Sequence, residues 1–117
     1  MKKVLILLLF GLILFGCNKN EQIKPNLNNE LKEIVLENNY IIVDVRTKEE
    51  YEMSHVKDAI LIPYDQINEK ISLDKTKKIL VYCASGNRSS IAYKSLTNLG
   101  YDVYDLGAFD NITLTKE

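Results

Sequence analysis

Cys83 closes the apolar run Lys78–Cys83 (KILVYC), and four small or polar residues, Ala84, Ser85, Gly86 and Asn87, separate it from Arg88. A thiolate, not a thiol, is the nucleophile, and it is favoured where backbone N–H groups and a helix N-terminus point at the sulfur. The order strand, cysteine, short loop, helix delivers that arrangement. Gly86 is free to take a positive φ, the loop curls around Sγ, and the amides of residues 84 to 88 form an anion-binding nest. Such a cradle stabilises a thiolate, a persulfide or an incoming oxyanion. Ser89 is well placed as helix cap. Arg88 can serve a substrate oxyanion or an acid near the loop; the first is expected, since Arg88 closes the cradle. Taken alone, Cys-x-x-Gly-x-Arg also describes structural turns, and a lone cysteine is as readily a small buried apolar residue.

The elements that must carry this loop are legible as alternating segments. Tyr40–Val45, Ala59–Ile62 and Lys78–Cys83 are near-continuous aliphatic and β-branched runs, as a sheet buried on both faces requires, and Asp102–Leu106 is a weaker fourth strand. Between them the spacing predicts a short helix over Lys48–Met53 with Thr47 and Glu50 as a capping box, and a helix near Asp65–Ser72 with Ile67 and Ile71 inward. A third, Ser89–Leu99, buries Ala92, Leu96 and Leu99 and stops at Gly100. An amphipathic helix precedes them all, with Leu27, Leu31, Ile34 and Val35 on one face. Strand and helix alternate throughout, which argues an α/β domain with a mainly parallel sheet of four to five strands and helices on both faces.

The first residues do not belong to that domain. Lys2 and Lys3 precede an uncharged run of 12 residues, Val4–Phe15, too short to span a bilayer but suited to the core of an export signal. Leu14, Phe15, Gly16 and Cys17 resemble the lipobox of bacterial lipoproteins, which implies a signal peptide over 1–16 and lipidation of Cys17. Residues 17–26 are then a polar tether, and 27–117 the folded domain. Dropping Lys2 and Lys3 from the 15 basic residues leaves 13 against 16 acidic, a net charge of −3. The signs alternate along the chain, which excludes a basic stripe for nucleic acid. With Cys17 taken by a lipid, Cys83 is an unpaired thiol in a compartment where disulfides form. The expected location is the cell envelope, lipid-anchored to a membrane and facing the periplasm or the exterior. Asn18, where some bacteria place an inner-membrane retention aspartate, points to the outer membrane if there is one.

Three stretches together resemble the rhodanese family. In Asp44–Pro63 (DVRTKEEYEMSHVKDAILIP) the residues Asp44, Arg46, Glu50, Tyr51, His55, Ala59, Ile62 and Pro63 fall in register with its signature; CASGNRSS resembles its catalytic loop and Leu99–Phe109 its closing segment. The resemblance covers roughly Leu27 to Ile112. It departs at Ser54, Asp58 and Ala108, where glycine is usual, and at Ile112, where tryptophan is frequent; these bear on local turns and stability more than on chemistry.

The resemblance implies a single-domain sulfurtransferase. Cys83 takes the outer sulfur of a donor such as thiosulfate, carries it as a persulfide and passes it to a thiophilic acceptor, cyanide in the laboratory or a thiol in the cell, with Ala84 to Arg88 binding substrate. It also implies that His55, the only histidine, is structural, and that Asp44 and Arg46 are an ion pair beside the sheet. No metal set stands out and no cofactor is expected. With no Cys-x-x-Cys, an external thiol, such as an envelope protein, must discharge the persulfide. Related phosphatases have a loop one residue longer, so the short loop favours sulfur transfer, although a relative handling arsenate stays open. The competing class is a membrane-tethered rhodanese-like module that binds a partner or senses redox state without turnover. Asn111-Ile112-Thr113 has the form of a glycosylation acceptor, which carries little weight beside a bacterial lipobox.

Overall fold

A computed structural model describes residues 27–117. The expected export signal, Cys17 and the expected tether lie outside the described residues. No helix among those residues is long and apolar enough to cross a membrane. The chain divides after Glu33, and residues 34–117 form one compact unit. Helix α1 (Leu27–Glu37) runs across that division, and the fold below belongs to that unit. Helix α1 stops where Asn38 turns to φ 55°, its N–H reaching the carbonyls of Ile34 and Val35 at 3.2 and 3.1 Å. Asparagine is one of the few non-glycine residues that take this turn readily.

Four strands follow: β1 (Tyr40–Asp44), β2 (Ile60–Leu61), β3 (Lys78–Cys83) and β4 (Asp102–Ala108). They form one sheet in the order β2-β1-β3-β4, and every neighbouring pair is parallel. Helix α2 (Lys48–Met53) lies between β1 and β2, and helix α3 (Asn87–Asn98) between β3 and β4. The chain leaves β1 towards β2 and leaves β3 towards β4, so these two central neighbours connect in opposite directions. In open α/β sheets the crevice beyond the carboxyl ends of such a pair is where ligands bind. Cys83 is the last residue of β3, and Arg46 follows the end of β1.

Strand β3 is buried on both faces. Ile79, Val81 and Cys83 join Val43, Val45, Ala92, Leu96, Tyr101 and Val103 in one core cluster, while Leu80 and Tyr82, alternating with them, are equally inaccessible. That is why the run is apolar without alternation. Where β3 pairs with β4 the register slips between Val81 and Tyr82: Val81 faces Asp105 but Tyr82 faces Gly107, so Leu106 is an extra residue. This bulge brings Ala108 opposite Cys83.

Two local expectations need correction. The helix near Asp65–Ser72 is instead a single 3-10 turn, Tyr64–Gln66, after which Ile67 is extended. Ile67 and Ile71 still pack against the core. The Asn68 side chain accepts the Lys70 N–H at 2.8 Å, and the Tyr101 hydroxyl accepts the Leu73 N–H at 3.1 Å and donates to the Ile71 carbonyl at 3.3 Å. Those partners replace the helical ladder. The second correction concerns α3, which begins at Asn87 with Gly86 as its N-cap in the left-handed region, so Ser89 lies inside the first turn and is not the cap.

Candidate active site

Cys83 sits where β3 gives way to the loop and is fully buried, whereas Ala84 and Ser85 above it are exposed. Gly86, at φ 100°, turns the chain so that its N–H donates to Cys83 Sγ at 2.9 Å; the Ser89 N–H donates to the same sulfur at 3.3 Å. Any Cβ at residue 86 would be strained at this φ. The sulfur thus occupies the place of a capping side chain, taking amides that the start of α3 leaves without intrahelical partners. Burial pushes the Cys83 thiol up, but the Ser89 hydroxyl and the amides of Ser89, Gly86 and Ser85 outweigh it, and the net is a pKa below the ordinary thiol value.

Of the expected substrate-binding set, Gly86 is aimed at the sulfur by its amide and Ser85 contributes to holding the thiolate. Ala84 and Asn87 lie on the exposed side of the loop. Arg88 is engaged elsewhere. Its Nη1 and Nη2 fork onto the two carboxylate oxygens of Glu50 at 2.8 and 3.1 Å. This arrangement is the acid-pairing alternative for Arg88, and it raises the Arg88 pKa, with burial opposing. Glu50 also accepts the Thr47 N–H and hydroxyl at 3.0 and 3.1 Å, completing the capping box of α2. The Arg88 hydrogen bond, then those from Thr47, hold Glu50 down at about 2 against the effect of burial.

Tyr82, next to Cys83 in β3, belongs to a buried polar hub. Asp44 is bridged by Arg46 through Nε at 3.0 Å and Nη2 at 2.7 Å, and its Oδ2 accepts the Tyr82 hydroxyl at 2.7 Å. Arg46 Nη2 also reaches the Ser54 carbonyl at 2.6 Å, and the Tyr82 hydroxyl accepts the Val56 N–H at 3.0 Å. The guanidinium lies 4.4 Å from the Phe109 ring centre. Burial works against the Arg46 charge, but Asp44 prevails and the pKa is raised; burial, then Asp44, raises the Tyr82 phenol. Among the described residues no buried side-chain nitrogen or oxygen lacks a partner. His55 stacks flat on Tyr51 with ring centres 3.8 Å apart, its Nδ1 is 2.8 Å from the Tyr51 carbonyl and its Nε2 3.5 Å from Glu117. None of these contacts involves Cys83.

The sequence of residues 27–113 matches the family described as "Rhodanese-like domain". This chain belongs to the rhodanese-like domain family. It is 36% identical over 78 residues to the thiosulfate sulfurtransferase PspE of Escherichia coli, covering 63% of this chain and 75% of that protein. It is 38% identical over 63 residues to the adenylyltransferase and sulfurtransferase uba4 of Ogataea parapolymorpha, covering 52% of this chain but 16% of that much longer protein. Among solved structures, a rhodanese with anions from E. coli superposes with a TM-score of 0.62 at 34% identity, covering 67% of this chain and 96% of that one.

Within the rhodanese signature the unusual residues now have a geometry. Ser54 is extended at φ −174°, a conformation open to any residue, and Ala108 at φ −82° is equally ordinary. Ile112 is buried. Of these four, Asp58 alone takes the left-handed region, φ 68°. Two residues at the candidate site escaped the sequence reading as site residues: Ser89, read as a cap, and Glu50, read as a signature and capping-box residue. Each had a legible signal, Ser89 through its place in the first turn facing the strand end, and Glu50 through the open question of which acid Arg88 would meet.

Proposed function

We propose that the protein is a sulfurtransferase that moves a sulfane sulfur from a donor such as thiosulfate to a thiophilic acceptor through a persulfide on Cys83. The observation that carries this reading is the convergence of the Gly86 and Ser89 amides on Cys83 Sγ at 2.9 and 3.3 Å. Donors held in this way stabilise an anionic sulfur without a general base. In the first step the Cys83 thiolate attacks the outer sulfur of thiosulfate; the new S–S bond forms as the old one breaks, and sulfite leaves with the bonding pair. In the second, cyanide or an external thiolate attacks the outer sulfur of the persulfide and the Cys83 thiolate departs. The amides hold the negative charge in both. The loop Ala84 to Asn87 forms the cradle around the sulfur, and Arg88, paired with Glu50, lies at its border.

The reading extends to an export signal over residues 1–16 and a lipid on Cys17 that keeps the domain in the cell envelope, where a thiol protein or small thiol takes the sulfur. A Cys17→Ser chain should then leave the membrane fraction.

The deciding experiment incubates the protein with thiosulfate, takes its intact mass, adds cyanide and follows thiocyanate, with Cys83→Ser in parallel. A gain of about 32 Da that cyanide removes with turnover, absent in the variant, is expected. The buried position of Cys83 favours one other reading, a binding or redox-sensing module without turnover. A folded, reduced protein that gains no mass from thiosulfate or polysulfide would select it.

A further inference from the structure

We infer that Glu50 is a specificity-determining residue that withholds the Arg88 charge from the cradle, so that anions at Cys83 are held by neutral amides and doubly charged ones gain little over singly charged ones. The inference rests on reading the cradle as the donor site, but its test does not require turnover.

Arg88 is the cation of the Cys83-to-helix loop, and both its terminal nitrogens are committed to one carboxylate in a two-point fork at 2.8 and 3.1 Å. Such planar pairs are geometrically specific and stronger than single contacts. The pair is part-exposed, at 27% for Arg88 and 32% for Glu50, so solvent screens it only in part. Glu50 is itself immobilised, since the Thr47 amide and hydroxyl at the start of α2 hold the same Oε1 that receives Arg88 Nη1. The depressed Glu50 pKa agrees with a carboxylate that stays charged at every working pH. Cys83 Sγ, by contrast, meets uncharged donors, the amides of Gly86 and Ser89. A fixed Glu–Arg pair presents a dipole to the cradle where a free arginine would present a full positive charge. The attraction of a full charge for an anion doubles with the anion's charge. A site with that charge neutralised therefore accepts monoanionic sulfur donors, such as organic persulfides, on nearly equal terms with dianions.

The test uses the full chain in detergent and reads protection of Cys83 from iodoacetamide by sulfate, a dianion, and by methanesulfonate, a monoanion. In Glu50→Gln the amide oxygen still serves the capping box, but its hold on Arg88 is weakened. Sulfate should then protect at a concentration roughly fivefold lower than in the unchanged protein, with methanesulfonate improved much less. The difference should vanish in Glu50→Gln/Arg88→Gln. Unaltered sulfate protection in Glu50→Gln, equal gains for both anions, or a gain that survives in the double variant would overturn the inference. A second measurement needs no variant. On titrating sulfate into the unchanged protein, the Gly86 and Ser89 amide resonances should move while the Arg88 Nε resonance stays fixed; a moving Arg88 Nε, or unmoved amides, would also overturn it. Failure of sulfur transfer would appear separately, as absence of thiocyanate.

Discussion

The Tyr82 hydroxyl donates to Asp44 Oδ2 at 2.7 Å, joining the residue beside the candidate nucleophile to the end of the neighbouring strand. The Tyr82 hydroxyl oxygen also accepts the Val56 N–H at 3.0 Å, so one phenol links β3, β1 and the approach to β2. Both side chains are fully buried. Tyr82→Phe keeps the ring and removes the oxygen, leaving a buried amide and a carboxylate each short of a partner. A loss of about 1–3 kcal/mol in urea or thermal unfolding is expected. Cys83 alkylation in the folded variant should be nearly unchanged, because neither amide on its sulfur is touched.

Cys83 should alkylate with a pH midpoint below the ordinary thiol value of 9.0. The thiolate is the reactive form, so the rate rises as pH climbs through the folded pKa. Ser89→Ala removes a hydroxyl that donates to the Gly86 carbonyl at 3.1 Å and helps lower the Cys83 pKa, so the midpoint should move upward. Iodoacetamide rates between neutral and alkaline pH measure both. A midpoint unmoved by the substitution would leave the thiolate to the backbone amides alone.

Glu50 carries a pH signature in stability. Its folded pKa is about 2 against an ordinary 4.5, so the stabilisation is fully present above 4.5 and is lost as pH falls towards 2. The pair is part-exposed, which limits it to about 1 kcal/mol after solvent screening. Glu50→Gln should therefore unfold more easily than the unchanged protein at pH 7 and equally easily near pH 2 by chemical denaturation. A gap that persists in acid would contradict the assignment to the ion pair.

Asp58 holds φ 68°, where a side chain is crowded and glycine is not. Asp58→Gly is expected to raise stability by about 0.5–1 kcal/mol, the relief of strain exceeding the added freedom of the unfolded chain. Asp58→Val, branched at Cβ, should lose at least as much. Thermal melting of the two variants reads the ordering, and a glycine variant less stable than the parent would refute it.

How far the sequence carried depends on where each residue finds its partners. Lys78–Cys83 was readable to the residue because a strand buried on both faces writes itself as an unbroken apolar run. Gly86 was readable because a loop that must curl around a sulfur needs positive φ. The segment after Pro63 misled, since Ile67 and Ile71 share a spacing of four whether they sit on a helix or on separate turns. What decides it is the Tyr101 hydroxyl, whose partners Leu73 and Ile71 lie 28 and 30 residues away in sequence. The Arg88–Glu50 fork spans 38 residues, and local pattern cannot choose among acids at that distance.

The sheet of the described residues also ends in unequal ways. Its β2 edge is a strand of two residues, Ile60–Leu61, and its β4 edge carries Asp102 and Asp105 and a break in register at its inner ladder. Short, charged or kinked borders give another chain's strand little to copy. The apolar centre that supports the thiol is therefore flanked by borders poorly suited to sheet extension, which works against aggregation through those edges.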